Sequence, residues 1–410
     1  MPFSPDLPDT PRRPPQGGTL PDTPRRPPQG GTLTPEHELF RATVRRFVDT
    51  EINPHVDEWE ASRRFPGNKV FPRMGELGFL GVSYPEEYGG SGGDYWYNLV
   101  LAEELGRIHC AGVPMAILVH TDMATPALAE IGTHELKQRF LAPAIAGTKI
   151  AAIAVSEPDA GSDVAAIRTH AASDGDDYVI NGSKMWITSG TQADFLVVLV
   201  RTSGEGGYKG MSLVVVPSDT PGFKVSRSIE KMGNHSSDTA ALTFENVRVP
   251  KANRIGEEGR GFIVQMKQFQ KERLTGSAMA LSGMERAMRM TVEYLKQRRT
   301  FGKALVENQY IQFRMCELFT EMEALRQLLY HCVRMMVAGQ DATREVSMAK
   351  LKAGRLCREV ADTCVQFHGG MGYAEEYPIA RYFRDARLLS IGAGADEVML
   401  GILAKLEGLA

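Results

Sequence analysis

The strongest constraint on this chain is a change in its hydrophobic period. From Ala151 to about Pro250 apolar residues alternate in short runs, as half-buried strands require. On either side they recur at three- and four-residue spacing, the mark of amphipathic helices. Before Thr34, Leu7–Thr19 (LPDTPRRPPQGGT) is repeated letter for letter by Leu20–Thr32. That segment has almost nothing apolar to set against its ordering entropy, so it reads as a disordered tail, although its proline content also suits a partner's Pro-binding domain. The division is a tail over 1–33, a helical domain over 34–149, a β domain over 150–250 and a helical domain over 251–410. The fold class is therefore α+β, with a barrel-like middle domain and a C-terminal helix bundle.

Local signals fill in this outline. Thr34-Pro35 is an N-cap followed by proline at the first helical position. Helices are expected around Tyr97–Leu105, Val113–Gly132 and Glu135–Ala142, with a Gly-rich loop from Tyr84 to Asp94. Tyr178–Thr188 (YVINGSKMWIT) predicts a hairpin turning at Asn181-Gly182. Met266–Gln297, Tyr310–Val337 and Ala342–Phe367 read as long helices, and a last one starts near Asp396.

Composition narrows the function. The 410 residues carry 47 Lys+Arg against 50 Asp+Glu, a net charge of −3, which supports neither a nucleic-acid nor a polybasic membrane partner. No run of apolar residues is long enough for a transmembrane helix, and no secretory signal is expected. Cys110, Cys316, Cys332, Cys357 and Cys364 are odd in number, widely spaced and without a CxxC pair. They read as buried small hydrophobes in a reducing cytoplasm rather than disulfides or zinc ligands. No His pair or acidic cluster has metal spacing, and His235 reads as a loop histidine.

Four segments carry chemistry. AVSEPDAGSD (Ala154–Asp163) is a polar turn after a strand, and KMWITSG (Lys184–Gly190) sets a Trp in a strand. QRRTFGK (Gln297–Lys303) precedes Asn308-Gln309, and QFHGGMGY (Gln366–Tyr373) ends a helix in a glycine pair. Each alone has a plain structural explanation: a turn, a core Trp, a helix stop.

Taken in order, from about Thr34 to the C-terminus, these segments resemble the acyl-CoA dehydrogenases. The resemblance implies FAD as cofactor and an acyl-CoA as substrate. It implies flavin contacts from Ile153, Val155, Ser156, Gly161, Ser162, Trp186, Ile187 and Thr188, with Ser162 also touching the substrate's pantetheine arm. Arg298, Thr300, Phe301 and Gln309 are implied to bind the FAD of one subunit, and Gln366, Gly369 and Gly370 to reach the same dinucleotide from a neighbour. Such sharing implies a homotetramer. Electrons are expected to leave to an electron-transfer flavoprotein.

Many members carry the catalytic base in a Tyr-Glu-Gly-Thr segment near the C-terminus. Here that segment reads Ile391-Gly392-Ala393-Gly394-Ala395-Asp396-Glu397, and the Glu position is Ala393. A smaller subgroup, the isovaleryl-CoA and long-chain acyl-CoA dehydrogenases, puts the base on a helix before Arg-Leu. FQKERL (Phe269–Leu274) matches that arrangement at Glu272. By itself such a Glu reads as a solvated helix face; the loss of one carboxylate together with the gain of the other is what assigns it. Gln270, Arg273, Ala393 and Gly394 then fall at the substrate, and Ala395 and Glu397 at the cofactor. Small residues at Ala393, Gly276 and Ala280 suit a branched or medium-to-long acyl chain, such as a citronellyl group. Two other readings remain: a flavin monooxygenase or oxidase on the same fold, and a flavoprotein without catalysis.

Overall fold

The computed structural model describes residues 33–410; the tandem repeat read as a disordered tail lies outside the described residues. The first helix, Pro35–Phe47, starts as expected. Thr34 caps it, accepting from the His37 backbone N–H, and the His37 ring reaches back to the Thr34 N–H at 3.0 Å. The expected helix over Val113–Gly132 is interrupted. Gly112–Leu118 and Pro126–Ile131 are α-helical, but Val119–Ala124 between them is a wide π turn. Such turns insert a residue and re-aim the side chains around it; here they include Asp122.

The middle region has eight strands: β1 Ala151–Ala154, β2 His170–Asp174, β3 Asp177–Thr188, β4 Phe195–Arg201, β5 Met211–Pro217, β6 Phe223–Ser228, β7 Thr239–Pro250 and β8 Arg254–Ile255. They form one sheet in the order β6-β7-β3-β2-β4-β5-β8, with β1 added parallel to β4. The continuous apolar runs of β4 and β5 are buried on both faces. One face, with Phe195, Val197, Leu213 and Val215, packs on helical residues such as Phe140 and Leu141. The other, with Leu196, Val198, Val214 and Val216, packs against residues of β3 and β7 such as Ile180, Leu242 and Phe244, as the sheet folds over itself.

The hairpin expected at Asn181-Gly182 is not formed. β3 runs straight through and pairs with β7 along its whole length, with register shifts after Ile180 and after Lys184. Gly182 takes φ +148° beside Thr169, where a Cβ would come within 2.5 Å of the Thr169 hydroxyl oxygen. Asn181 exchanges hydrogen bonds with Asn246, its Oδ1 accepting from that residue's N–H at 2.8 Å. The Asn-Gly pair thus makes a bulge rather than a turn. The turn lies just before it, where Asp174 pairs with Asp177 around Gly175, at φ +58°.

The C-terminal bundle is built on one long helix, Gly261–Gln297, with Gln309–Val337, Thr343–His368 and Asp396–Leu406. A short helix, Pro378–Ala386, lies among them without having been expected. Leu281, Met284, Met288, Leu318, Leu325, Val346, Ala353 and Val360 form the bundle core, and Trp96 and Leu99 of the Tyr95–Leu105 helix join it. Four cysteines are buried as expected; Cys316 is exposed, and all five are free. Among the described residues no helix is long and apolar enough to cross a membrane.

The unexpected short helix clasps the three regions together. Asp385, 6% exposed, accepts from the Ala111 N–H at 2.9 Å and from the Asn234 N–H at 2.6 Å. Nearby, Glu60 accepts from the Ser236 N–H, and Arg381 pairs with Asp57. Asp385→Ala orphans two buried backbone donors. It is expected to destabilise the protein by about 2–4 kcal/mol, read as a lower urea midpoint, and an unchanged midpoint would show the clasp to be dispensable.

Candidate active site

The long helix carries a buried polar stripe on one face. Gln265, Gln268, Glu272 and Thr275 recur at three- and four-residue spacing, and all are buried. Apolar residues usually hold such positions, so this spacing is itself a signal of a site. Gln268 is satisfied by the backbone of the π turn and the next helix: its Oε1 accepts from the Ala127 N–H at 3.0 Å, and its Nε2 donates to the Met123 carbonyl. Glu272 is not. It is 3% exposed, and its Oε2 has no hydrogen-bond partner among the described residues.

Burial pushes the Glu272 carboxyl up to about 8, and the nearby Asp122 adds to the shift while Arg273 and Lys350 oppose it. Asp122 comes from the π turn. It accepts from the Thr121 hydroxyl at 2.6 Å and from the Thr275 hydroxyl at 3.0 Å, and burial holds it above the ordinary carboxyl range. The Tyr95 hydroxyl lies 3.0 Å from Thr275 Oγ1. Glu272 thus has an acidic neighbour whose two oxygens each face a hydroxyl, while its own Oε2 stays free to take a proton.

The segment before the last helix of the bundle meets the long helix beside this position. Ala393 and Gly394 both take positive φ, +54° and +94°. A Cβ on Gly394 would meet the Met399 methyl at 2.7 Å. Arg273 donates through Nε to the Ala393 carbonyl at 3.1 Å, and the Lys350 ammonium donates to the Gly394 carbonyl. Arg273 is 5% exposed, its guanidinium turned to this loop. Gln270 is half-buried, with its side-chain oxygen unpartnered. Ala395 caps the last helix, where Asp396 is buried and pairs with Arg358 at 3.1 Å, and Glu397 is exposed.

Two motifs meet in the sheet. The Met185 N–H donates to the Ser156 carbonyl at 2.9 Å. The fully buried Lys184 ammonium donates to the Val155 carbonyl at 2.8 Å and to Glu157 at 3.0 Å, and Glu157 also accepts from the Arg168 and Thr169 N–H groups. Sequence reasoning missed this Lys184–Glu157 fastening, which fixes AVSEP against KMWIT. At the bulge after Lys184, Trp186 takes φ +66° and stands 58% exposed. Thr188 and Ser156 are half-buried, and Gly161 and Ser162 are exposed. Ile153 is half-buried, whereas the Val155 and Ile187 side chains lie in the two sheet cores, so a ligand on this surface meets the backbone of those two residues.

The other two motifs also meet, at one end of the bundle. The Tyr294 hydroxyl donates to the His368 carbonyl at 3.1 Å, their rings stack at 4.4 Å, and Tyr310 lies edge-on to Phe367. Arg298, Gln309, Gln366, Gly369 and Gly370 are exposed there, Thr300 is half-buried, and Phe301 stands free at φ +51°. Within one chain Arg298, Gln309 and the glycine pair thus lie at the same end of the bundle, where Tyr294 ties the two segments together.

These surfaces suit FAD. A large exposed aromatic held at an uncommon φ offers a flat face beside the hydroxyls of Ser156 and Thr188. Nothing lies within 4 Å of a Cβ on Gly369 or Gly370, so a ligand can approach the backbone, and Arg298 supplies charge. His235 is a satisfied loop histidine, bonded to the Lys231 carbonyl at 3.1 Å. Among the described residues no group of three His, Cys, Asp or Glu could hold a metal.

Comparison with known proteins bears on the same regions. The N-terminal, middle and C-terminal domains of acyl-CoA dehydrogenases match residues 34–148, 152–247 and 259–407. The mitochondrial long-chain specific acyl-CoA dehydrogenase of Mus musculus is 38% identical over 372 residues, covering 90% of this chain and 86% of that one. The short-chain specific acyl-CoA dehydrogenase of Clostridium acetobutylicum is 37% identical over 366 residues, covering 89% and 96%. The crystal structure of an acyl-CoA dehydrogenase from Geobacillus kaustophilus superposes with a TM-score of 0.88 at 41% identity, covering 92% of this chain and 98% of that one.

Glu272 is expected to hold its proton at neutral pH and to release it with a midpoint near about 8. Infrared difference titration would show a carboxyl band that Glu272→Gln removes; a midpoint near the ordinary value of about 4.3 would mean that water reaches the group.

Proposed function

The chain belongs to the acyl-CoA dehydrogenase family of FAD-dependent oxidoreductases, and we propose that it desaturates a branched or medium-to-long acyl-CoA between Cα and Cβ with Glu272 as the base. The observation that carries this reading is the buried Glu272 carboxyl, with its Oε2 unpartnered, on a chain whose loop position holds Ala393. When bound, FAD supplies a two-electron acceptor for the hydrogen leaving Cβ.

The protein's part is to make an α-proton removable. In water the α-C–H of a thioester is far too weak an acid for a carboxylate. Burial raises the basicity of Glu272, and Oε2 takes the proton. The negative charge that develops on the thioester oxygen needs a donor, and the Ala393 N–H is the proposed one. Glu272 acts only once ionised, so kcat/KM, which reports the free enzyme, rises with pH through about 8.

Chain length follows from the space beside Glu272. One turn on, a Cβ on Gly276 would make only ordinary contact, at 3.7 Å with Leu118, and Ala280 is half-buried. Ala393 leaves room where other members carry a carboxylate. The relatives include both short-chain and long-chain enzymes, so this preference rests on the small residues. The exposed bundle end with Arg298 and Gly369 is proposed to reach a neighbouring subunit's FAD in a homotetramer. An electron-transfer flavoprotein is the proposed acceptor, in the cytoplasm.

Anaerobic titration with butyryl-, isovaleryl-, octanoyl- and citronellyl-CoA tests the substrate. Flavin bleaching is expected with one of the last three, and a preference for butyryl-CoA would overturn the chain-length reading. Glu272→Gln is expected to slow bleaching by about 10²–10⁴-fold. Equal bleaching would remove Glu272 from the mechanism, and no bleaching of the wild type by any of the four would favour oxygen chemistry or a flavoprotein without catalysis.

A further inference from the structure

Lys350 is a fully buried lysine for which packing supplies no reason. It lies on the Thr343–His368 helix at 0% exposure. Among the described residues it makes no ion pair, and its ammonium donates to a neutral acceptor, the Gly394 carbonyl. A buried ammonium set against a carbonyl is an expensive arrangement, and a Met or Leu would fill the same space without it. The helix also comes very close to the loop: one turn on, a Cβ on Gly354 would lie 3.0 Å from both Asp396 Oδ1 and Ser390 Oγ.

The loop needs holding. Ala393 is a non-glycine residue in the left-handed region, and Gly394 follows it at φ +94°. Two cations grip two successive carbonyls, Arg273 that of Ala393 and Lys350 that of Gly394. With φ set at Ala393 and both carbonyls anchored, the direction of the Ala393 N–H is fixed. Arg273 adjoins Glu272 in sequence, so the base and the loop share one support.

We propose that Lys350 is a positioning residue: by holding the Gly394 carbonyl it keeps the Ala393 N–H aimed at the thioester oxygen while Glu272 removes the α-proton. This rests on the acyl-CoA reading above. The donor acts mainly as charge develops, so its misalignment lowers kcat more than it raises KM.

The test uses the FAD-loaded protein with the acyl-CoA that bleaches it best. Lys350→Met is expected to lower kcat by about 10–100-fold, less than the loss of a whole oxyanion donor, with KM within about threefold. An acyl-CoA analogue with sulfur in place of Cβ gives a readout apart from turnover, since it can lose its α-proton but has no Cβ hydrogen to give up. Its deprotonation when bound is expected to shift to higher pH in Lys350→Met. The titratable and charged groups facing Lys350 are Asp396, Arg273, Glu272 and Glu397; loss of its charge also raises the proton affinity of Glu272, so the analogue's shift is read beside a titration of Glu272 in the same variant without the analogue. Lys350→Arg, which keeps a donor, is expected to recover most of kcat. If Lys350→Met does not fold, Lys350→Leu, which also lacks a donor, serves in its place. Wild-type kcat and an unshifted analogue in these variants would overturn the proposal. So would a loss of kcat that follows thermal stability and is not recovered by arginine. A wild type that no acyl-CoA bleaches would instead overturn the reading beneath it.

Discussion

Everything in this fold is arranged around one helix that is too long to be covered by any single neighbour. Gly261–Gln297 has 37 residues, which at 1.5 Å per residue is about 55 Å. Its start packs on β5, its middle on the π turn and the Tyr95–Leu105 helix, and its end on the bundle. Burying so long an element requires surfaces from all three regions. Glu272 lies in the first half of this helix, where the π turn and the Tyr95–Leu105 helix of the N-terminal region pack on it. The burial that raises its affinity for a proton is thus a consequence of the domain arrangement.

The electrostatics of the site follow from that enclosure. Two carboxyl groups, Glu272 and Asp122, share the interior with two cations, Arg273 and Lys350. Each oxygen of Asp122 faces a hydroxyl; Glu272 retains an oxygen without a partner among the described residues. Among the described residues the cations make no ion pair with Glu272 but hold the carbonyls of Ala393 and Gly394. In a low-dielectric interior such fixed donors keep their direction without solvent reorganisation. On the sheet side, Lys184 and Glu157 play a comparable part, pinning two segments so that Trp186 can stand out at its bulge.

Where sequence reasoning failed, tertiary contacts had outweighed local preference. Asn181-Gly182 is a strong turn signal, yet β7 offered β3 a partner along its full length, so the glycine became a bulge against Thr169. The Val113–Gly132 segment has helical periodicity, but nothing in that period announces the π turn that delivers Asp122. The contact of Arg273 with the Ala393 carbonyl joins residues 120 apart in the chain, and no local pattern announces it. The short helix bearing Asp385 was overlooked because its partners, Ala111 and Asn234, are backbone groups far away in sequence.

The sequence by itself determined the order of helical, β and helical regions, because the period of apolar residues dictates which face each element can bury. It also pointed to Glu272, since Ala393 had lost the carboxylate that the other position had gained. Only the tertiary structure decided that this carboxyl is dry, that its second oxygen is free, and that Lys350 and Arg273 hold the loop above it. Those properties arise from distances between segments remote in the chain, and burial, unlike periodicity, is not a local property of any of them.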